Sequence, residues 1–234
     1  MFLQSNSLLT AQFDVSYYID IAQSSFLPLV KGALFYSIPM TLIAFVIGMI
    51  LAITTALFRI SGNTLLSSIA RVYISIIRGT PLLVQLFIIF YGLTSVGIEL
   101  DPFPAAIIGF SLNTGAYASE IIRAAIVSIQ KGQWEAAQSI GMSFGQALRR
   151  IILPQATRVS IPPLSNSFIS LVKDTSLAST ILVAEMFRKS QEIVANTYEP
   201  LLLYTEAAFI YWVICFLLSL VQDQIENRLN RYVS

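Results

Sequence analysis

Long apolar stretches separated by short charged connections set the pattern of the chain. Between Lys31 and Arg59 no ionisable side chain occurs. Leu34 to Phe58 is therefore read as a first membrane span, since about 20 apolar residues at about 1.5 Å rise cross a hydrocarbon layer of about 30 Å. A kink is expected at Pro39. A second span is predicted from about Val72 to Tyr91, interrupted by Arg78-Gly79-Thr80-Pro81, and a third from Ala105 to Ile126, carrying Asn113, Glu120 and Arg123. A fourth is expected to open at Pro162-Pro163, with Ser160 as N-cap and proline in the first turn, and to run past Lys173-Asp174 to Val183. The fifth, Tyr204 to Val221, meets charge only at Glu206. The pattern predicts an all-α membrane protein of about five transmembrane helices.

Lys and Arg are unevenly shared among the connections. One side receives Arg59, Arg71, Lys131, Arg149, Arg150, Arg158, Arg228 and Arg231, the other only Lys31, Arg188 and Lys189. Because basic residues accumulate on cytoplasmic loops, the N-terminus is expected outside and the C-terminus in the cytoplasm. The expected division is an extracytoplasmic segment 1–33, a membrane domain 34–222 with its longest inward loop at 127–159, and a cytoplasmic tail 223–234. Composition agrees: 56% of residues are hydrophobic and 12% charged, against about 45–50% and about 25% in soluble chains. The net charge of +1 and the absence of His argue against a nucleic-acid surface or a histidine metal site. Cys215, the single cysteine, lies in an apolar run, so neither an intramolecular disulfide nor a cysteine-rich metal site is possible. Residues 1–13 lack the basic region of a secretory signal, and the mature chain is expected to keep its N-terminus.

The inward loop reads as two short helices. Gln133 to Ile140 holds good helix formers, Gly141 suits the left-handed end of a helix, and Ser143 with Gln146 forms a capping box for the next, which Pro154 is expected to stop. Ala136 and Ala137 are small enough for close docking into a partner's groove; an interfacial amphipathic connector is the alternative on periodicity alone. Glu135 would face basic groups of such a partner or cap its own helix.

Glu135-Ala136-Ala137, three residues, Gly141, nine residues, then Ile151-x-Leu153-Pro154 resembles the cytoplasmic signature of binding-protein-dependent ABC importer permeases. The resemblance implies the type I permease fold, with coupling helices between spans three and four, and assigns ATPase docking to Glu135, Ala136, Ala137 and Gly141. Further stretches resemble the polar amino-acid branch of that family: Arg78 to Leu86, Asn113-Thr114 through Tyr117 to Arg123, and Lys173-Asp174-Thr175-Ser176-Leu177. Within that branch the chain is similar to cystine permeases of this length. Ala124-Ala125 stands where a Gly-Gly is common there. The implied partners are two ATPase subunits, a second permease subunit, an extracytoplasmic binding protein and the lipid bilayer of the cell membrane.

Ionised side chains within spans cost about 2.5–3.5 kcal/mol to insert, so Arg78, Glu120, Lys173 and Asp174 are expected to face a pathway or a partner. Asn113, Tyr117 and Glu120 fall on one stripe of the third span, and Arg78 and Gln85 lie seven apart on the second. The break at Gly79-Thr80-Pro81 is expected to expose backbone carbonyls. An amino-acid zwitterion needs an acceptor for its ammonium, for which Asp174 is the candidate, and donors for its carboxylate, for which Arg78 and Asn113 are candidates. Thr175 and Lys173 join the pathway set. The structural alternatives are helix bracing by Lys173 and Asp174, snorkelling by Arg78, an i, i+3 pair of Glu120 with Arg123, and packing by Tyr117 and Gln85. Glu185, Arg188, Lys189, Glu192 and Glu199 form an external connection, read as a solvated face or as a docking rim for the binding protein.

No Gly-x-x-x-x-Gly-Lys-Ser/Thr occurs, so the chain is not expected to be an enzyme; ATP and Mg would be used by the partner ATPase, and no cofactor or metal is expected on this chain. Two alternatives to the ATP-driven permease are an ion-gradient-driven transporter or channel subunit, which inverted repeats would favour, and a non-transport membrane component, which buried charges disfavour.

Overall fold

The structure is a computed structural model and describes residues 15–230; the expectation for the N-terminus and those parts of 1–33 and 223–234 beyond these limits lie outside the described residues. The first helix, α1 (Val15–Gly32), passes through a π-helical turn at Ala33–Ser37 into α2 (Ile38–Ile60). Then come α3 (Thr64–Gly79), α4 (Leu82–Phe87) and α5 (Pro102–Val127). Next come α6 (Lys131–Ser139) and α7 (Phe144–Ala147), followed by α8 (Leu153–Asp174), a 3-10 turn (Thr175–Ile181), α9 (Met186–Thr197) and α10 (Pro200–Asn230).

Val15–Ile60, 46 residues, and Pro200–Leu229, 30 residues, are each long and apolar enough to cross a membrane. Two bent pairs reach that standard together: Thr64–Gly79 with Leu82–Gly92 at 103°, and Phe144–Ile181 with Met186–Thr197 at 48°. Helix α5 has 26 residues, enough length at about 1.5 Å per residue, but Asn113, Glu120 and Arg123 dilute its apolar character.

Proline positions explain where the helices depart from the sequence reading. Pro39 lacks an N–H and its ring crowds the carbonyl one turn earlier; the wide turn at Ala33–Ser37 stands immediately before α2 and opens the backbone there. The helix therefore continues back to Val15 instead of starting at Leu34. Pro154 likewise follows a π turn at Leu148–Ile152 and sits in the first turn of α8, so it does not stop the helix as expected. Ser160 is not a cap either: its hydroxyl donates to the Thr157 carbonyl, and Pro162 and Pro163 lie inside α8.

Helices α2 and α5 form the centre of the fold, and small residues let them touch. A Cβ on Gly48 would lie 2.7 Å from Thr114 Cβ, and one on Gly115 would lie 2.9 Å from Leu51 Cβ. Without a hydrophobic drive between helices in lipid, such close backbone approach supplies much of the attraction. Gly48→Ala is expected to overpack the crossing by about 1–3 kcal/mol and to lower the thermal midpoint of the detergent-purified protein. Gly132→Ala, whose Cβ would meet nothing within 4 Å, serves as the control. An unchanged midpoint for Gly48→Ala would contradict this account of the crossing.

The same helix pair is pinned at one end by charge. Glu120 on α5 bridges Arg59 at the end of α2, at 3.4 Å, and Arg123 one turn on, at 2.9 Å.

Candidate functional site

A cavity of about 450 Å³ lies where α5, α8 and the α3–α4 break converge, within the range of about 300–1,000 Å³ usual for small-molecule sites. Helix α5 contributes Asn113, Thr114 and Tyr117, and α8 contributes Asn166, Ser167, Ser170 and Asp174. Thr80-Pro81-Leu82 forms the remaining polar edge. Asn166, Ser170 and Asp174 recur every four residues, so one face of α8 presents them together. No described residue forms an ion pair or hydrogen bond with the Asp174 carboxylate, although Lys173, its exposed chain neighbour, adds positive potential.

The break at Gly79-Thr80-Pro81 is real but its carbonyls are not left open. Thr80 and Pro81 are extended, and the Gln85 side-chain amide donates to the carbonyls of Ile77 at 2.7 Å and Thr80 at 3.1 Å, and to Thr80 Oγ1 at 3.0 Å. Buried Gln85 thus braces the bend, which in turn sets Thr80 at the cavity edge. Opposite, the Tyr73 hydroxyl on α3 donates to the Leu112 carbonyl at 2.6 Å, one residue before Asn113.

Of the predicted pathway residues, Asn113, Tyr117 and Asp174 meet in this cavity. Arg78 stands beside it, its guanidinium carbon 5.1 Å from the centre of the Tyr117 ring, a cation–π distance. Glu120 lies off the lining, held by Arg59 and Arg123. Lys173 is exposed and also off it. Thr175 is fully buried and its hydroxyl donates to the Val172 carbonyl at 2.7 Å, which turns it away from the cavity. Asn166, Ser167 and Ser170 are absent from the sequence expectation, and Thr80 entered it only for the backbone of the break. The four-residue spacing that drew attention to Asn113 and Tyr117 also connects Asn166, Ser170 and Asp174 and was there to be used.

The loop helices fold as their local chemistry requires. Gly141 adopts φ +77° after α6, a backbone that glycine reaches without steric cost. The Ser143–Gln146 capping box is complete in both directions. Trp134 and Phe144 stack at 5.2 Å between ring centres and lock α6 to α7. Glu135, Ala136, Ile140, Gly141 and Phe144 face outward, but Ala137 is fully buried within the chain's own fold, so it offers no docking surface. Glu135 lies mid-helix, and α6 has no side-chain cap, which removes the self-capping alternative.

The charged connection around α9 also differs from its reading as a solvated rim. Arg188 and Lys189 do pair with Glu192, at 3.4 and 2.7 Å. Glu185, however, is 0% exposed and caps α9: it accepts the Phe187 and Arg188 amides at 2.8 and 2.6 Å and the Tyr211 hydroxyl at 3.0 Å. Among the described residues no group of three or more His, Cys, Asp or Glu side chains is placed to hold a metal ion.

Comparison with known proteins accounts for this arrangement. The family described as binding-protein-dependent transport system inner membrane component matches residues 44–231. The chain is 60% identical, over the whole length of both chains, to the L-cystine transport system permease protein TcyB of Bacillus subtilis (strain 168). It is 39% identical to the probable amino-acid ABC transporter permease protein YckA of the same strain, covering 95% of this chain and 98% of that one. A crystal structure of an amino acid ABC transporter with histidines superposes with a TM-score of 0.79 at 34% identity, covering 92% of this chain and 96% of the other. The buried charges, the broken helix and the Glu-Ala-Ala loop are those of a transport subunit that borrows its ATPase, and the chain belongs to the binding-protein-dependent transport system inner membrane component family of ABC importer permeases.

Proposed function

We propose that this chain is the membrane subunit through which an ATP-driven importer moves L-cystine, with the cavity beneath Thr80 as the substrate's stopping point. The observation that carries the substrate is the full-length 60% identity to an L-cystine permease. In this reading the N-terminus is outside, as the Lys and Arg distribution favours. Two ATPase subunits bind ATP and Mg, and their closure moves the Glu135–Gly141 surface so that the spans alternate between outward and inward openings.

At the cavity, the Asp174 carboxylate accepts the substrate ammonium, and Asn113 with the α8 amide and hydroxyls donates to the substrate carboxylate. These contacts gain strength where the paired permease subunit excludes water. Arg78, resting on Tyr117, adds positive charge at the cavity's edge. Cystine carries an ammonium and a carboxylate at each end, so two copies of the chain facing each other would present one Asp174 to each end.

The test is uptake by proteoliposomes containing the complete complex, with labelled L-cystine on its binding protein. ATP-dependent accumulation of cystine, competed poorly by glutamine or histidine, is expected. Accumulation of another amino acid without cystine would overturn the substrate assignment.

A further inference from the structure

Glu185 is the only ionisable side chain the fold buries completely among the described residues. No cation pairs with it, since Arg188 and Lys189 on its own helix turn to Glu192. Removing a carboxylate from water costs several kcal/mol, and the cap alone does not require it: α3 is capped by exposed Asn63 and α7 by exposed Ser143. Glu is also not among the preferred N-caps. What its length adds is reach to Tyr211 on α10, at 3.0 Å.

Three other parts of the fold close on the same point. Ser37, the last residue of the π turn between α1 and α2, is 2% exposed; its hydroxyl meets no hydrogen-bond geometry yet faces Glu185 and Tyr211. Thr175, next in sequence to the cavity's Asp174, is fully buried near Tyr211, its own hydroxyl given to the Val172 carbonyl while the Tyr211 hydroxyl is given to Glu185. Gly32 presses α1 onto the start of α9, where a Cβ would lie 2.9 Å from the Met186 backbone. The connection from Thr175 to Glu185 is short and stiff, a 3-10 turn closed by Leu182 at φ 69°.

We propose that Glu185 is a positioning residue that, through its bond to Tyr211 and the short turn that begins at Thr175, holds helix α9 in register with the Asp174 end of the cavity. A binding protein that presses on α9 then moves the cavity wall with it. This rests on the reading of the chain as an importer subunit served by a binding protein.

The test uses the complete complex in proteoliposomes and compares basal ATP hydrolysis with hydrolysis stimulated by loaded binding protein. Glu185→Gln keeps the size but sets an amide N–H against a backbone N–H. The stimulation ratio is expected to fall about fivefold or more, with basal hydrolysis and the half-saturating binding-protein concentration retained. Tyr211→Phe is expected to act in the same direction, and the double variant to be no worse than Glu185→Gln, because both break one link. An unchanged ratio in assembled Glu185→Gln complexes overturns the proposal, as does a parallel fall of basal and stimulated rates, which a loss of stability alone would give. Should Glu185→Gln fail to assemble, Tyr211→Phe decides: a lowered ratio supports the link and an unaltered one overturns it. A wild-type complex that loaded binding protein does not stimulate would instead overturn the importer reading beneath the proposal.

Discussion

Glu135→Lys, and separately Gly141→Asp, are expected to leave the chain folded in the membrane while abolishing uptake and co-purification of the ATPase. Both positions face outward, and a Cβ on Gly141 meets nothing within 4 Å. The fold around them is held from behind, by the Trp134–Phe144 stack and by the packing of Ile126, Ile152 and Ala156 with partly buried Trp134 and Leu148. Neither substitution touches that packing. Reversing the Glu135 charge sets a cation against whatever basic groups it meets, and breaking a close charge pair at an interface costs about 2–5 kcal/mol. Gly141→Asp adds a carboxylate at the hinge together with a positive φ that Asp tolerates poorly beside glycine, and φ there is +77°. Ala137→Leu provides the contrast: its site is fully buried, so it should lower the yield of folded protein first. Measured together, thermal midpoint, ATPase pull-down and uptake separate the two classes. Normal uptake with Glu135→Lys would remove this surface from the coupling path.

The loop was readable in advance because its chemistry is local. A glycine at a left-handed turn and a serine paired with a glutamine three residues later are fixed by their own neighbours, and both stand in the structure as expected. Prolines misled for the opposite reason. The stop expected at Pro154 and the start expected at Pro162-Pro163 are absent: a wide turn ahead of Pro154 carries the helix on, and Pro162 and Pro163 lie inside α8. Charge in a connection between spans reads as solvated, yet Glu185 is buried. Nothing in its neighbours predicts that Tyr211, 26 residues on, returns to meet it. Glu120 and Gln85 show the same limit. The seven-residue spacing of Arg78 and Gln85 does not survive the 103° break between their helices, and Glu120 leaves the stripe of Asn113 and Tyr117 off the cavity; the bent backbone at Thr80 and Arg59, produced by a break or distant in sequence, take up their polar groups.

Asp174→Asn is expected to lower the transport rate of the reconstituted complex by about tenfold or more, while loaded binding protein still docks and still stimulates ATP hydrolysis. The carboxylate lines the cavity and is engaged by none of the described side chains, so the substitution removes an acceptor for the substrate without breaking a link in the fold. A hydrogen bond to a charged group contributes about 1.5–3 kcal/mol, which is about a tenfold to hundredfold change in occupancy of the transported state. Asn keeps the volume and one acceptor oxygen but also brings an amide that opposes an ammonium, so loss by shape is excluded. Asn113→Ala, on the facing helix, should act on the same step with a smaller effect, since Ser167, Ser170 and Asn166 remain to serve the substrate carboxylate. Glu120→Gln, by contrast, loosens the Arg59 bridge and should reduce stability rather than selectively reduce substrate handling. Unchanged transport kinetics in Asp174→Asn would take the acidic group out of the pathway, leaving the polar face of α8 as packing against a neighbouring subunit.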